Sequence, residues 1–124
     1  MFDILLVGLG GFIGSVSRYL IYLLVRSYFI HSFPLATLIV NTTGCFLIGM
    51  VSGLERHFLF FQRPMLIFIS VGLIGGFTTF SAFGFETVEL LRQQHYGWAC
   101  FNVFCNLLLG FGALWIGRNF ATYF

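Results

Sequence analysis

Side chains that can donate hydrogen bonds occur in the middle of three long apolar stretches of the sequence. Thr37 and Asn41 lie four residues apart in one stretch, and Asn102 and Asn106 repeat that spacing in another. The third stretch contains the string TTFS at 78–81, which has three hydroxyl residues. Residues four apart share one face of a helix, so each pair would present its polar groups in one direction.

Two interpretations of these polar groups are open. A polar group in hydrocarbon is costly unless it is satisfied, so each one either joins neighbouring helices by hydrogen bonds or lines a path for a polar substrate. Because three separate stretches place amides or hydroxyls near their centres, we favour a polar track through a helix bundle. The competing hypothesis is a non-transporting membrane subunit, in which these groups only hold helices together.

The available chemistry favours an anion as the transported species. The acidic residues lie near the ends of the stretches or in a loop, at Asp3, Glu55, Glu86 and Glu89. A small multidrug-type, proton-coupled exporter needs a carboxylate deep in the bundle, so that alternative is disfavoured. Amides, hydroxyls and the guanidinium of Arg18 can all donate hydrogen bonds to an anion. Arg18 either extends to the membrane boundary or supplies positive potential at an entrance to the path.

Two phenylalanines beside the hydroxyl residues could contribute without a formal charge. Phe80 and Phe83 lie three residues apart and share a helix face if the segment is helical. An aromatic ring has a positive edge, so two edges turned toward a narrow path could coordinate a small anion next to hydrogen-bond donors. With 18 phenylalanines in the chain, the ordinary alternative is that both rings face lipid or fill the core.

Composition indicates that membrane-spanning helices position these residues. The 124-residue chain is 59% hydrophobic and 8% charged, whereas a soluble domain carries about 25% charged residues. A hydrocarbon core of about 30 Å needs roughly 20 helical residues, and stretches at about 3–25, 34–54, 65–90 and 97–117 qualify. The sequence therefore predicts one all-α integral membrane domain over residues 1–124, a bundle of four transmembrane helices. It has no basic cluster of the kind that binds nucleic acid.

The third stretch is weakened at its centre by the string GGFTTFS at 75–81. Adjacent glycines lower helix stability, and the hydroxyl side chains compete for backbone hydrogen bonds. A broken helix frees backbone amides and carbonyls, which is tolerated in a membrane only inside protein or beside a cavity. We therefore expect the third helix to be broken at its centre, with freed carbonyls available to a cation and freed amides to an anion.

The arginines give little preference for one orientation in the membrane. With four spans, one side holds Arg56, Arg63 and Arg118, and the other holds Arg26 and Arg92. Either the positive-inside count fails for this chain or the protein inserts in both orientations. Dual insertion would allow an antiparallel dimer, which supplies between two chains the inverted repeat that many transporters carry within one. Four helices are few to enclose an aqueous path, which also favours an oligomer.

Three strings carry a resemblance that covers nearly the whole chain. GGFTTFSAF at 75–83, supported by GGFIGSVSRY at 10–19 and NTTGCFLIG at 41–49, resembles the CrcB (Fluc) family of small fluoride channels. The resemblance implies a channel for passive fluoride export in the bacterial inner membrane, not an enzyme, with no catalytic residues. It also implies an antiparallel, dual-topology homodimer with two fluoride pores and a central structural sodium ion.

The resemblance further assigns roles to individual residues. The fluoride pathway falls to the residues that match the family's motifs, namely Asn41, Phe80, Phe83, Ser81 and Arg18. Thr37 and Asn106 join this predicted pathway because of their depth and their four-residue spacing from other polar residues. The sodium ion would be held by the backbone carbonyls of Gly75 and Thr78.

Two positions depart from the family pattern. Ala82 stands where a hydroxyl residue is common, so any step that relies on that hydroxyl would be altered in this chain. Asn106 stands where the family more often has a small or hydroxyl residue. Glu86, just beyond the string GGFTTFSAF, either influences ion exit or is an interfacial acid that points to water.

Overall fold

The computed structural model describes residues 1–28, 33–55 and 63–123, and all regular secondary structure in these ranges is helical. Four helical spans are long and apolar enough to cross a membrane: Phe2–Tyr28, Leu35–Leu54, Arg63–Arg92 and Tyr96–Tyr123. The predicted all-α fold with four transmembrane helices is thus confirmed for the described part of the chain. The helix boundaries lie within a few residues of the expected ones, including the ends of the first and fourth helices at Tyr28 and Phe120.

The third span is not a uniform helix. It contains a short α-helical turn at Arg63–Leu66, a π-helical stretch at Ile67–Ile74 and another turn at Gly75–Phe77, and we treat these together as one helix. The helices are labelled in chain order as α1 (Phe2–Tyr28), α2 (Leu35–Leu54), α3 (residues 63–77), α4 (Phe80–Arg92) and α5 (Tyr96–Phe120). A 3₁₀ turn at Ala121–Tyr123 follows α5.

The break in the third span lies at Thr78 and Thr79. Their backbones are extended, with φ −77° and ψ 160° at Thr78 and φ −152° and ψ 118° at Thr79. The Thr79 hydroxyl then accepts a hydrogen bond from the Ala82 amide at 3.2 Å and so caps the start of α4. The predicted interruption is confirmed, and it is made by the threonines, because Gly75 and Gly76 both remain helical.

Glycines set the packing between α1 and α3, as their four-residue spacing indicates. A Cβ added to Gly72 would lie 3.0 Å from the Cα of Gly10, and one added to Gly76 would lie 2.7 Å from the carbonyl oxygen of Gly11. The two backbones are therefore in direct contact, and larger residues at these positions would separate the helices. Helices α2 and α5 approach each other in the same way, since a Cβ on Gly49 would overlap the Leu114 carbonyl.

Contacts at the helix ends show an alternating arrangement of the spans. Asp3 at the start of α1 forms an ion pair with Arg63 at the start of α3, at 3.6 Å. Phe33, just before α2, packs against Trp98 at the start of α5, with ring centroids 5.4 Å apart. The starts of α1 and α3 therefore lie at one end of the bundle, and the starts of α2 and α5 lie at the other. Arg56, which the arginine count used, lies outside the described residues.

The outer surface is strongly apolar. Large side chains such as Phe12, Phe104 and Trp115 are exposed, whereas the buried positions include many glycines and a few aliphatic residues. A soluble monomer rarely exposes large contiguous apolar patches, but this surface suits a hydrocarbon solvent. The protein is therefore a multi-pass membrane protein.

Candidate functional site

Asn41 on α2 stabilises the interrupted backbone between α3 and α4. Its side-chain oxygen accepts from the Thr79 amide at 2.9 Å, and its side-chain nitrogen donates to the Thr79 carbonyl at 3.1 Å. In a continuous helix the Thr79 amide would instead donate to the Gly75 carbonyl. Asn41 thus satisfies the main chain at the point where the helix is interrupted, which buried backbone groups require.

A chain of hydrogen bonds continues from Asn41 into the bundle. The Asn41 amide nitrogen also donates to the side-chain oxygen of Asn106 at 3.1 Å. Asn106 donates to the backbone carbonyl and to the side-chain oxygen of Asn102, both at 3.0 Å. Asn102 is fully buried and donates to the Thr87 hydroxyl at 2.9 Å, which in turn donates to the Phe83 carbonyl at 2.7 Å. This asparagine chain connects α2, α5 and α4.

The side-chain amides of Asn41 and Asn106, predicted to line a fluoride path, already donate their hydrogens to protein acceptors. Both hydrogens of the Asn41 amide, and both of the Asn106 amide, point to protein oxygens in this structure. An anion that reached them would have to compete with those oxygens for the same hydrogens. Hydrogen bonding between helices was one of the two interpretations of these amides, and it is the one seen for Asn41 and Asn106.

An open groove of about 430 Å³ collects several of the predicted residues on one side of the break. Asn41 and Asn106 line it together with the rings of Phe80 and Phe83. The two ring centroids lie 5.6 Å apart with an interplanar angle of 57°. The remaining lining is mainly apolar, and its other polar residues are Ser70, Thr78 and Thr79. We call this space the phenylalanine groove.

A second open cavity of about 880 Å³ lies on the other side of the break. Arg18 and Arg26 of α1 line it, as do Ser81 and Glu86 of α4. Thr79 lines both this cavity and the phenylalanine groove, so the break borders both spaces. We call the second cavity the arginine vestibule. Of the two interpretations of Arg18, its place in the vestibule supports the one in which it supplies positive potential at an entrance.

Thr37, predicted as part of the pathway, is fully buried. Its hydroxyl donates to Glu86 at 2.7 Å, which leaves it to accept from the hydroxyl of Tyr22. Tyr22 and Glu86 line the arginine vestibule, and Thr37 contacts that space only through them. Glu86 therefore does not simply point to water: one carboxylate oxygen bonds Thr37, and the other is buried without a hydrogen-bond partner among the described residues.

The backbone carbonyls predicted to hold sodium lie at the break, and both residues line the phenylalanine groove. The Gly75 carbonyl loses its helical donor, because the Thr79 amide bonds Asn41. The Thr78 carbonyl likewise loses its donor, because the Ala82 amide bonds the Thr79 hydroxyl. Freed carbonyls of this kind suit a hard cation. The Thr78 carbonyl also accepts from Arg18 Nη1 at 3.2 Å, which uses one of its two lone pairs.

Three participants in this site were missed or left without a role at the level of sequence. Thr87 carried no signal, because its partner Asn102 is on another helix and no spacing rule joins them. Tyr22 follows Arg18 by four residues, so the helical repeat could have placed both on one face of α1. Asn102 had the right depth but no assigned role.

Residues 5–118 match the family described as CrcB-like protein, Camphor Resistance (CrcB). A protein of Methylobacillus flagellatus named fluoride-specific ion channel FluC is 42% identical over 118 residues, covering 94% of this chain and 92% of the relative.

Two further relatives give the same result. The fluoride-specific ion channel FluC 1 of Methanosarcina acetivorans is 37% identical, covering 99% of this chain and 96% of its own. The fluoride-specific ion channel FluC of Chlorobium chlorochromatii is 45% identical, covering 92% and 88% of the two chains. These relatives are named as channels rather than enzymes. With a family match over nearly its whole length and relatives of this similarity, the chain belongs to the CrcB family.

Proposed function

We propose that this protein is a fluoride-selective channel that exports fluoride passively across the inner (plasma) membrane of a bacterium. The observation that carries the proposal is the phenylalanine groove, where Asn41 and Asn106 lie beside the rings of Phe80 and Phe83. The names of the relatives, fluoride-specific ion channels, support the choice of ion.

The groove offers what a small, strongly hydrated anion requires. Fluoride leaves water only if other donors replace its hydration shell, and uncharged donors do so without trapping the ion. Amide hydrogens of Asn41 and Asn106 and the positive edges of Phe80 and Phe83 supply such donors in the groove. The hydroxyl of Ser81 supplies another in the arginine vestibule. Larger anions would be excluded by the width of the path, and each hydrogen bond would stabilise them less than it stabilises fluoride.

The route we propose joins the two cavities at the break. The arginine vestibule attracts the anion through Arg18 and Arg26, and Ser81 lies next to Thr79, with their hydroxyl oxygens 3.2 Å apart. From there the ion passes the break and enters the phenylalanine groove. Passive flow suits export, because the acid form of fluoride enters a cell neutral and ionises inside, so the anion accumulates there.

The proposed channel is an antiparallel homodimer of dual-topology subunits. The support is the open side of the phenylalanine groove: Phe80 is 83% exposed and Gly75 is also exposed in the single chain. A second copy would cover these residues and enclose the groove, and the two-fold symmetry would give two pores. A structural sodium ion at the dimer centre would be held by the Gly75 and Thr78 carbonyls of both copies, where it would offset the repulsion between them.

The test is fluoride efflux from vesicles that contain the purified protein. Vesicles loaded with potassium fluoride should release fluoride when valinomycin removes the charge imbalance, with no pH gradient present. Flux of an organic cation coupled to a pH gradient, without fluoride release, would instead indicate the proton-coupled exporter. Transport of neither ion would leave the non-transporting subunit.

A further inference from the structure

The asparagine chain has a fixed polarity from end to end. At its first end the Thr79 amide can only donate, so Asn41 must present its oxygen there and its nitrogen to Asn106. At its other end Thr87 donates to the Phe83 carbonyl and therefore accepts from Asn102. Every amide between these ends has one orientation that satisfies both of its neighbours.

Reversal of any one amide creates a conflict that its neighbours cannot absorb. If Asn102 were turned over, its nitrogen would face the Asn106 nitrogen and two donors would meet. If Asn106 turned as well, its nitrogen would face that of Asn41, which cannot turn because both Thr79 backbone groups hold it. The conflict would then lie between Asn41 and Asn106, in the wall of the phenylalanine groove.

Asn102 restricts the orientation of the Asn106 amide from outside the proposed fluoride route. It has no exposed surface, and it joins the groove only through Asn106. Thr87 is one step further away and contacts Asn102 on a different helix. We propose that Asn102 and Thr87 are positioning residues, which hold the Asn106 amide in the orientation that matches the fixed Asn41 amide and thereby set the rate at which fluoride passes the groove. This inference rests on the proposed function.

Three variants separate positioning from simple packing. Thr87→Val keeps the shape of the side chain but removes the acceptor for Asn102, whereas Thr87→Ser keeps the hydroxyl and is the matched control. Asn102→Leu removes the link altogether at similar volume. Each protein is reconstituted at a density below one dimer per vesicle, and fluoride release is followed with an electrode. The amplitude of fluoride release then reports how many channels are active, and the rate constant of release reports the flux through each channel.

We expect Thr87→Val and Asn102→Leu to lower the rate constant by about tenfold, the change that roughly 1.4 kcal/mol produces in a rate. The amplitude should stay at the wild-type level, and Thr87→Ser should match the wild type in both readouts. The double variant should be no slower than the slower single variant, since both changes interrupt one chain.

Other outcomes overturn the inference in distinguishable ways. Wild-type rate constants in both variants, or a reduced amplitude with an unchanged rate constant, would show that these residues contribute only to folding. If Asn102→Leu does not reconstitute, Thr87→Val decides alone, because it replaces a single oxygen by a methyl group. Absence of fluoride release from the unmodified protein would overturn the proposed function, and this inference with it.

Discussion

Replacing Asn41 by aspartate would test the role of its amide with almost no change in shape. The Asn41→Asp side chain can still accept from the Thr79 amide, but its ionised form cannot donate to the Thr79 carbonyl or to Asn106. Two hydrogen bonds are lost, and each contributes about 1 kcal/mol to stability. The variant should therefore fold less stably but retain the anchoring bond at the break.

The larger effect should be on the passing anion. A carboxylate about 4 Å from a fluoride ion repels it by roughly 4 kcal/mol at an effective dielectric constant of about 20. Since about 1.36 kcal/mol corresponds to a factor of ten in rate, fluoride flux should fall nearly a thousandfold. Protonation removes the charge and restores one donor, so the deficit should shrink as the pH is lowered.

The assay is fluoride efflux from vesicles at several pH values, with Asn119→Asp as the charge-matched control. Asn119 is exposed near the end of α5, so the control adds the same charge away from both cavities. It should keep the wild-type rate. If Asn41→Asp released fluoride as fast as the wild type at the highest pH tested, the placement of Asn41 beside the ion would be refuted.

Further predictions concern the rings, the helix contacts and the cation. Phe80→Ile and Phe83→Ile should each lower fluoride efflux about fivefold, because a ring edge contributes on the order of 1 kcal/mol. The exposed Phe104→Ile should not change the efflux rate, and equal rates in all three variants would count against a role for the ring edges. Gly49→Ala should destabilise the fold by about 1–3 kcal/mol because the added Cβ overlaps the Leu114 carbonyl, whereas Gly112→Ala, with open space around it, should not; denaturant titration of the purified protein checks both. Exchange of sodium for a large organic cation should lower the thermal stability of the proposed dimer, and an unchanged melting temperature would argue against a structural sodium ion.

The fold was largely predictable from the sequence because the membrane imposes strong rules. Length and hydropathy alone locate the four spans, since hydrocarbon excludes irregular backbone and requires about 20 apolar residues for each crossing. Glycines four residues apart, such as Gly72 and Gly76, also favour close helix contacts in a membrane. The exact place of the break was less accessible, because Gly75 and Gly76 weaken a helix in principle but keep helical geometry here.

The sequence indicated which residues lie at the site better than it indicated the hydrogen bonds between them. Depth and spacing singled out Asn41 and Asn106, and the structure places both in one groove with Phe80 and Phe83. Hydrogen bonds between helices depend on how each helix is rotated about its axis and shifted along its neighbour. A single sequence does not specify either quantity. For that reason the bond between Asn102 and Thr87 appears only in three dimensions. The assigned roles of these residues in fluoride passage, including those of Thr37, Ser81 and Arg18, stay predictions.

Selectivity tests the central claim most directly, because uncharged donors in a narrow groove should favour the ion that is smallest and accepts hydrogen bonds most strongly. The measurement is the release of fluoride and of chloride from the same preparation of vesicles containing the purified protein. We expect rapid fluoride release and chloride release no faster than from protein-free vesicles. Equal release of both ions, or of neither, would contradict the account.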